Sequence, residues 1–202
     1  MFSLVSPNST DIDSNNSFSH CSNISLSTIK AVTKSLNSFI NSSFRLSPSL
    51  FTSTSLPEIS IGDYLTRIVE FTQIEESTLI LSLIYIDRLC FNTNIEITKF
   101  DIHKVALTAI VLSVKYNEDL IYSQEEYANI GGVDIKELTA LEAEFLDGLG
   151  FKLFINTNEF QMYQNLLYKN IPFRKQDESV NNNEIFELEN DDFKTEEIII
   201  EL

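Results

Sequence analysis

Apolar positions first recur at helical spacing shortly after residue 24. They fall on one face of a helix, at Ile29, Val32, Leu36, Phe39 and Ile40. Serine at position 25 or 27 can cap the start of this helix, because its hydroxyl accepts a hydrogen bond from a free backbone N–H of the first turn. The pattern therefore predicts an amphipathic helix over residues 26–41.

Four later segments also have the length and spacing of helices: SIGDYLTRIVEF, SLIYIDRLCF, KVALTAIVLSVKY and IKELTALEAEFLDGLG. Between residues 63 and 130 there is no glycine or proline, so the breaks between helices are expected at polar patches. A short helix is predicted at residues 123–130, ended by Gly131-Gly132 because glycine accepts the left-handed conformation required there. Asp134 can cap the next helix, which Gly148 and Gly150 end.

The segment KVALTAIVLSVKY differs from the others, because apolar residues cover every side of the predicted helix rather than one stripe. A helix of this kind is normally enclosed by other helices. The sequence therefore predicts an all-α domain over residues 57–170, with one central helix and four or more helices around it.

The ends of the chain have a different composition. Residues 1–23 are rich in serine and asparagine and are predicted to be disordered, residues 24–56 to form an N-terminal helix and a linker, and residues 171–202 to form a weakly ordered acidic tail. The net charge of −16 disfavours bare nucleic acid and anionic membranes as partners. Neither a signal peptide nor a membrane-spanning run is evident, so we expect an intracellular protein.

Residues that commonly carry chemistry are few in this sequence. There are two histidines and two cysteines, in spacings that favour neither a zinc site nor a thiol–imidazole pair. His103 is expected to lie on a helix surface or partly buried. GGVD lacks the lysine and hydroxyl residue of a phosphate-binding loop, and the paired carboxylates are interpreted as solvated faces. We expect no metal, no cofactor and no enzymatic activity.

Three charged residues stand in apolar surroundings: Asp87 in LIYIDRLCF, Lys115 in AIVLSVKY and Glu142 in LTALEAEFL. An unpaired buried charge is unfavourable by several kcal/mol, so each residue requires a partner. One interpretation is an internal ion pair, or a lysine whose stem is buried while its ammonium reaches water. The other is a charged pair displayed to a protein partner.

Four stretches together resemble the cyclins: LPEISIGDYLTRI, LIYIDRL, SVKYNED and YANIGGVDIKELTALEAEFLDGLGFKL. Their order and separation are most similar to the single-box P/U-type group, which includes the yeast phosphate-pathway cyclin. The resemblance implies a five-helix cyclin box, here with an additional N-terminal helix and flexible ends. It also implies a regulatory subunit that forms a heterodimer with a cyclin-dependent protein kinase, in the nucleus or the cytoplasm.

The resemblance further implies which residues meet the kinase. Lys115 and Glu142 match the lysine and glutamate with which cyclins bind the kinase backbone around its C-helix. The apolar positions that match the surface around this pair are Tyr116, Leu146, Phe151 and Leu153. Their alternative role is ordinary core, and for Leu146 both roles are open.

Asp87 matches an aspartate that usually forms an internal ion pair with an arginine early in the first helix of the box. The corresponding region, ISIGDYL, has no arginine at that point, and Arg67 or Arg88 are possible substitutes. Two other functions stay open beside the kinase-binding one. They are a cyclin-fold adaptor that does not activate a kinase, and a small helical enzyme.

Overall fold

The computed structural model describes residues 24–41 and 49–169, and these ranges contain seven helices. They are α1 Leu26–Phe39, α2 Ile61–Thr72, α3 Glu76–Thr93, α4 Ile102–Asn117, α5 Gln124–Gly131, α6 Ile135–Gly148 and α7 Thr157–Tyr168. Within the same ranges no strand occurs, and Ile40 and Ile97 form an isolated bridge. The prediction of an all-α fold is confirmed. The predicted head at 1–23 and tail at 171–202 lie outside the described residues, and the domain limits stay predictions.

The starts of the helices follow local signals in the sequence. The Ser25 hydroxyl accepts a hydrogen bond from the backbone N–H of Thr28 and caps α1. Ser123 and Glu126 form a reciprocal capping box at the start of α5, in which each side chain accepts a hydrogen bond from the backbone N–H of the other. Asp134 caps α6 as predicted.

The helix α4 is the centre of the fold. Its residues from Val105 to Val114 are all buried, and it contacts α2, α3, α5 and α6. This arrangement agrees with the all-round apolar pattern in the sequence. The preceding helix, α3, is also buried on most sides, and it contacts α1, α6 and α7 in addition to α4.

Close approach between α4 and α5 requires a glycine at position 131. A Cβ atom added there would lie 2.2 Å from Cδ2 of Leu107, a fully buried side chain of α4. The next residue, Gly132, has φ of +69° and ends α5 in the left-handed conformation. The two glycines of the predicted helix stop therefore have different roles, since one permits packing and the other permits the turn.

His103 is partly buried at the start of α4, which agrees with the expectation from the sequence. Its Nε2 lies 3.0 Å from the carbonyl oxygen of Ile59, and its ring packs edge-on against Tyr64. Burial lowers the pKa of His103 below its usual value of 6.5, while the hydrogen bond to Ile59 acts in the opposite direction. We assign this histidine a structural role in holding the loop before α2.

The helix α7 was not predicted as a separate element. Asn156 caps it by accepting a hydrogen bond from the backbone N–H of Glu159. Only Tyr163 and Leu167 of this helix are buried, and it packs against α1 and α3. Its apolar stripe is too narrow to stand out in the sequence, and its docking depends on helices that lie far away along the chain.

Candidate functional site

Lys115, Gln124 and Glu142 form a closed ring of hydrogen bonds where the helices α4, α5 and α6 meet. The Lys115 ammonium donates to Oε1 of Glu142 and to Oε1 of Gln124, both at 2.6 Å. The Gln124 amide donates through Nε2 to Oε2 of Glu142 at 2.5 Å. The structure therefore brings together the two charged residues predicted for the site and adds a third, neutral residue.

The two charges of this ring differ in burial. The Glu142 side chain is 11% exposed, whereas that of Lys115 is 37% exposed. Each oxygen of the Glu142 carboxylate has a donor, which offsets the unfavourable removal of this charge from water. Lys115 lies in the last turn of α4, where the unpaired carbonyl groups of the helix end favour a cation. The ring is thus internally satisfied and still accessible to solvent.

The predicted apolar positions divide into two groups. Tyr116 and Phe151 are exposed, with 49% and 69% of their surface accessible. Leu146 and Leu153 are partly buried and pack against the core. The core contact of Leu146 agrees with one of the two roles that the sequence left open for it, and its interface role stays a prediction.

The position of Phe151 depends on how α6 ends. The N–H of Gly150 donates to the carbonyl of Asp147, and the N–H of Phe151 donates to that of Leu146, at 2.8 and 2.9 Å. Phe151 has φ of +57°, an unusual conformation for a residue with a bulky side chain. This turn leads from α6 into residues 152–156, which form neither helix nor strand.

The segment that follows Phe151 is bound by side chains of α3. Tyr85 donates its hydroxyl to the carbonyl of Leu153 at 2.9 Å. Arg88 donates through Nη1 to the carbonyls of Lys152 and Phe154, both at 3.1 Å. Burial raises the pKa of the Tyr85 hydroxyl, which keeps it protonated as a donor. Two side chains of α3 therefore bind the backbone of residues 152–154, directly after Phe151.

Arg88 also connects this segment to α7. Its guanidinium forms a two-pronged contact with Glu159, with Nη2 lying 2.7 Å from Oε2 and 2.8 Å from Oε1. About a quarter of each side chain is exposed, so the pair is neither fully buried nor a surface contact. The planar guanidinium of arginine can donate two parallel hydrogen bonds to one carboxylate, a geometry that the ammonium of lysine does not provide.

Asp87 accepts a hydrogen bond from the hydroxyl of Tyr163 on α7, with an oxygen–oxygen distance of 2.5 Å. Burial raises the pKa of Tyr163, and the hydrogen bond to Asp87 raises it further. Of the two arginines considered as partners of Asp87, Arg67 donates to the carbonyl of Asn129 and Arg88 binds Glu159. An ion pair at Asp87 stays a prediction.

Sequence reasoning missed Gln124 and the pair formed by Arg88 and Glu159. Gln124 follows the capping residue of a short helix, a position that gives no hint of a contact with Glu142. Glu159 is separated from Arg88 by 71 residues. Neither contact produces a periodic signal, because each depends on how helices approach one another rather than on spacing within one helix.

In residues 24–41 and 49–169, no group of three or more His, Cys, Asp and Glu side chains is arranged to hold a metal ion. Across the same part of the chain, none of the helices has the length and apolar character needed to span a bilayer.

Comparison with known proteins identifies the family. The family model described as "Cyclin" matches residues 8–153. The chain belongs to the cyclin family. The resemblance seen in the sequence is therefore confirmed.

Curated relatives place this cyclin with the P- and U-type group. Cyclin-U4-3 of Arabidopsis thaliana is 37% identical over 124 residues, which cover 61% of this chain and 57% of the relative. Cyclin-P4-1 of Oryza sativa subsp. japonica is 31% identical over 133 residues, with coverage of 65% and 63%. PHO85 cyclin-7 of Saccharomyces cerevisiae is 32% identical over 131 residues, with coverage of 59% and 46%. The alignments thus span about half to three fifths of each relative.

Replacing Arg88 tests whether α3 holds the segment after α6. Arg88→Ala removes a charged partner from Glu159 and two donors from backbone carbonyls, so we expect the free energy of unfolding to fall by about 2–3 kcal/mol. Arg88→Lys is the graded control, because an ammonium keeps the charge but cannot serve all these acceptors at once. Urea denaturation measures both variants. Equal stability of Arg88→Ala and the wild type would show that this contact contributes nothing.

Proposed function

We propose that this cyclin is the regulatory subunit of a cyclin-dependent protein kinase, which it binds and activates by packing on the kinase C-helix. The observation that carries the proposal is the hydrogen-bonded pair formed by Lys115, whose side chain reaches solvent, and Glu142, whose side chain is mostly buried. Both charges are hydrogen-bonded within the free chain and keep unused donor and acceptor positions. Such a pair is suited to bind the backbone of a partner.

Two exposed aromatic residues support the same function. Tyr116 directly follows Lys115, and Phe151 comes after the end of the helix that carries Glu142; both side chains are exposed. Burying exposed aromatic surface contributes ~25 cal/mol per Å2, so these residues would provide strength while the charged pair sets the register. Leu146 and Leu153 would form the inner border of this surface.

In this proposal the cyclin performs no chemistry itself. It would hold the C-helix of the kinase in the position in which the helix glutamate contacts the strand lysine that orients the phosphates of ATP. Converting a kinase from about 1% to about 99% active requires tighter binding to the active conformation by roughly 5.5 kcal/mol. An extensive interface on the C-helix is the means of supplying this difference.

The relatives support a kinase partner over other classes. PHO85 cyclin-7 of Saccharomyces cerevisiae and the PHO85 cyclin-like protein psl1 of Schizosaccharomyces pombe both carry PHO85 in their names. The net charge of −16 disfavours nucleic acid as an alternative partner. We therefore propose a heterodimer with one kinase, without a cofactor.

Reconstitution tests this function. The full chain is purified and mixed with each cyclin-dependent kinase of its own proteome, and complex formation and phosphorylation of a peptide substrate are measured. We expect one kinase to bind, and its activity to rise by about a hundredfold. Binding without activation would favour the adaptor function, and binding to none of the kinases would refute the proposal.

A further inference from the structure

We propose that Gln124 is a positioning residue, which holds Lys115 and Glu142 in the single arrangement that is ready to bind a partner. The expected effect of Gln124 on binding rests on the proposed function, because the partner is the kinase. Its structural basis is independent of that function. It lies in the hydrogen bonds that Gln124 makes to both charged residues.

Lys115, Gln124 and Glu142 together have more hydrogen-bond donors and acceptors than the ring uses. The Lys115 ammonium has three N–H donors, and two of them are directed to Gln124 and Glu142. The Gln124 amide uses one of its two N–H donors, and each oxygen of Glu142 keeps an unused lone pair. The closed ring thus keeps a lysine donor and carboxylate acceptors for a peptide backbone, which presents both kinds of group.

An ion pair alone would not maintain this arrangement. Lysine has a flexible four-carbon side chain, and ion pairs that reach solvent gain little from their mutual attraction. The 37% exposure of Lys115 allows its ammonium to turn toward water when only one contact holds it. Gln124 adds a second contact to Lys115 and supplies a donor for the Glu142 oxygen that Lys115 does not reach. Gln124 therefore restricts the conformations of both the Lys115 and the Glu142 side chains.

The position of Gln124 is itself determined by α5. It is the first residue of that helix and directly follows Ser123, whose capping box with Glu126 sets the direction of the first turn. The helix is anchored at its other end by Gly131, which packs against Leu107 of α4. The amide is consequently presented by a rigid element, which is the condition for one side chain to position two others.

The experiment compares Gln124→Ala with Gln124→Glu in the full chain. Gln124→Ala removes both contacts, and we expect kinase affinity to fall about tenfold at every pH, because two side chains must then be ordered on binding. Gln124→Glu places a carboxylate beside that of Glu142. At pH 7.5 the two carboxylates repel each other and affinity should fall at least as far.

A readout in the free protein separates this inference from the proposed function. The ammonium signal of Lys115 in NMR spectra should be protected from exchange in the wild type and lost in Gln124→Ala. Glu125→Ala, on the exposed side of the same turn, is the matched control and should leave the signal unchanged. If the wild type binds no kinase, the proposed function fails, and the NMR comparison still decides whether Gln124 positions the pair. Unchanged signals together with unchanged affinity in Gln124→Ala would overturn the inference.

Discussion

Exchanging the charges of the ring, with Lys115→Glu and Glu142→Lys in one chain, is expected to abolish kinase capture and leave the fold intact. The exchanged residues can still attract each other, and the Gln124 amide can rotate to donate to the new glutamate and accept from the new lysine. We expect the free energy of unfolding to change by less than about 2 kcal/mol. A partner that requires a cation at 115 and an anion at 142 meets the opposite charges, which weakens binding by about 2–5 kcal/mol.

A second ion pair between the same two helices supplies the control for this exchange. Lys104 of α4 and Glu137 of α6 also lie 2.6 Å apart. The exchange Lys104→Glu with Glu137→Lys reverses the same types of residue on the same helices, away from the proposed interface. Capture from native lysate followed by a kinase assay compares the two exchanges, and circular dichroism checks helicity. If both exchanged proteins capture the kinase equally well, Lys115 and Glu142 form a structural pair and do not bind the kinase.

Truncating Phe145 is expected to destabilise the protein, whereas truncating Phe151 is expected to weaken kinase binding. Phe145 is fully buried, and its ring packs edge-on against Phe51 at a centroid distance of 5.9 Å. Phe145→Ala should therefore lower the free energy of unfolding by about 3–5 kcal/mol, through lost burial and the cavity that remains. Thermal and urea denaturation measure this loss.

Phe151 lies six residues later and is 69% exposed. Alanine also has a Cβ, so Phe151→Ala retains the penalty of the positive φ and isolates the loss of the ring. We expect stability within about 0.5 kcal/mol of the wild type, and kinase affinity lower by roughly ten- to a hundredfold because the ring is no longer buried against the partner. Phe71→Ala, at an exposed phenylalanine of α2, is the matched control. If Phe151→Ala binds the kinase as tightly as Phe71→Ala does, Phe151 is not part of the interface.

Much of the fold was predictable because its signals are local. Ser25, Asp134 and Gly132 each act within one turn of the helix that they cap or end. The central place of α4 was predictable for a different reason, since a helix with apolar residues on every side is stable in water only when other helices cover it. The helix α7 lacked both kinds of signal, because its stripe is narrow and its partners are distant in sequence.

The candidate site was predictable only in part. Lys115 and Glu142 stood out because a charge within an apolar run requires a partner, and each is the other's partner. The resemblance to cyclins assigned them to a kinase-binding face, which local patterns alone did not. Gln124 and Arg88 did not stand out, because a polar residue at a helix start or next to another charged residue is common in any protein.

The sequence by itself determined the helices α1 to α6 and their order, the family and the two charges that form the centre of the proposed site. These properties depend on spacing within a segment or on motifs that are continuous along the chain. Only the tertiary structure decided that Gln124 closes the ring, that Tyr163 donates to Asp87, and that Arg88 joins the segment after α6 to α7. The physical reason is that a hydrogen bond requires its two atoms to lie about 3 Å apart in the correct direction, and packing between helices determines that distance.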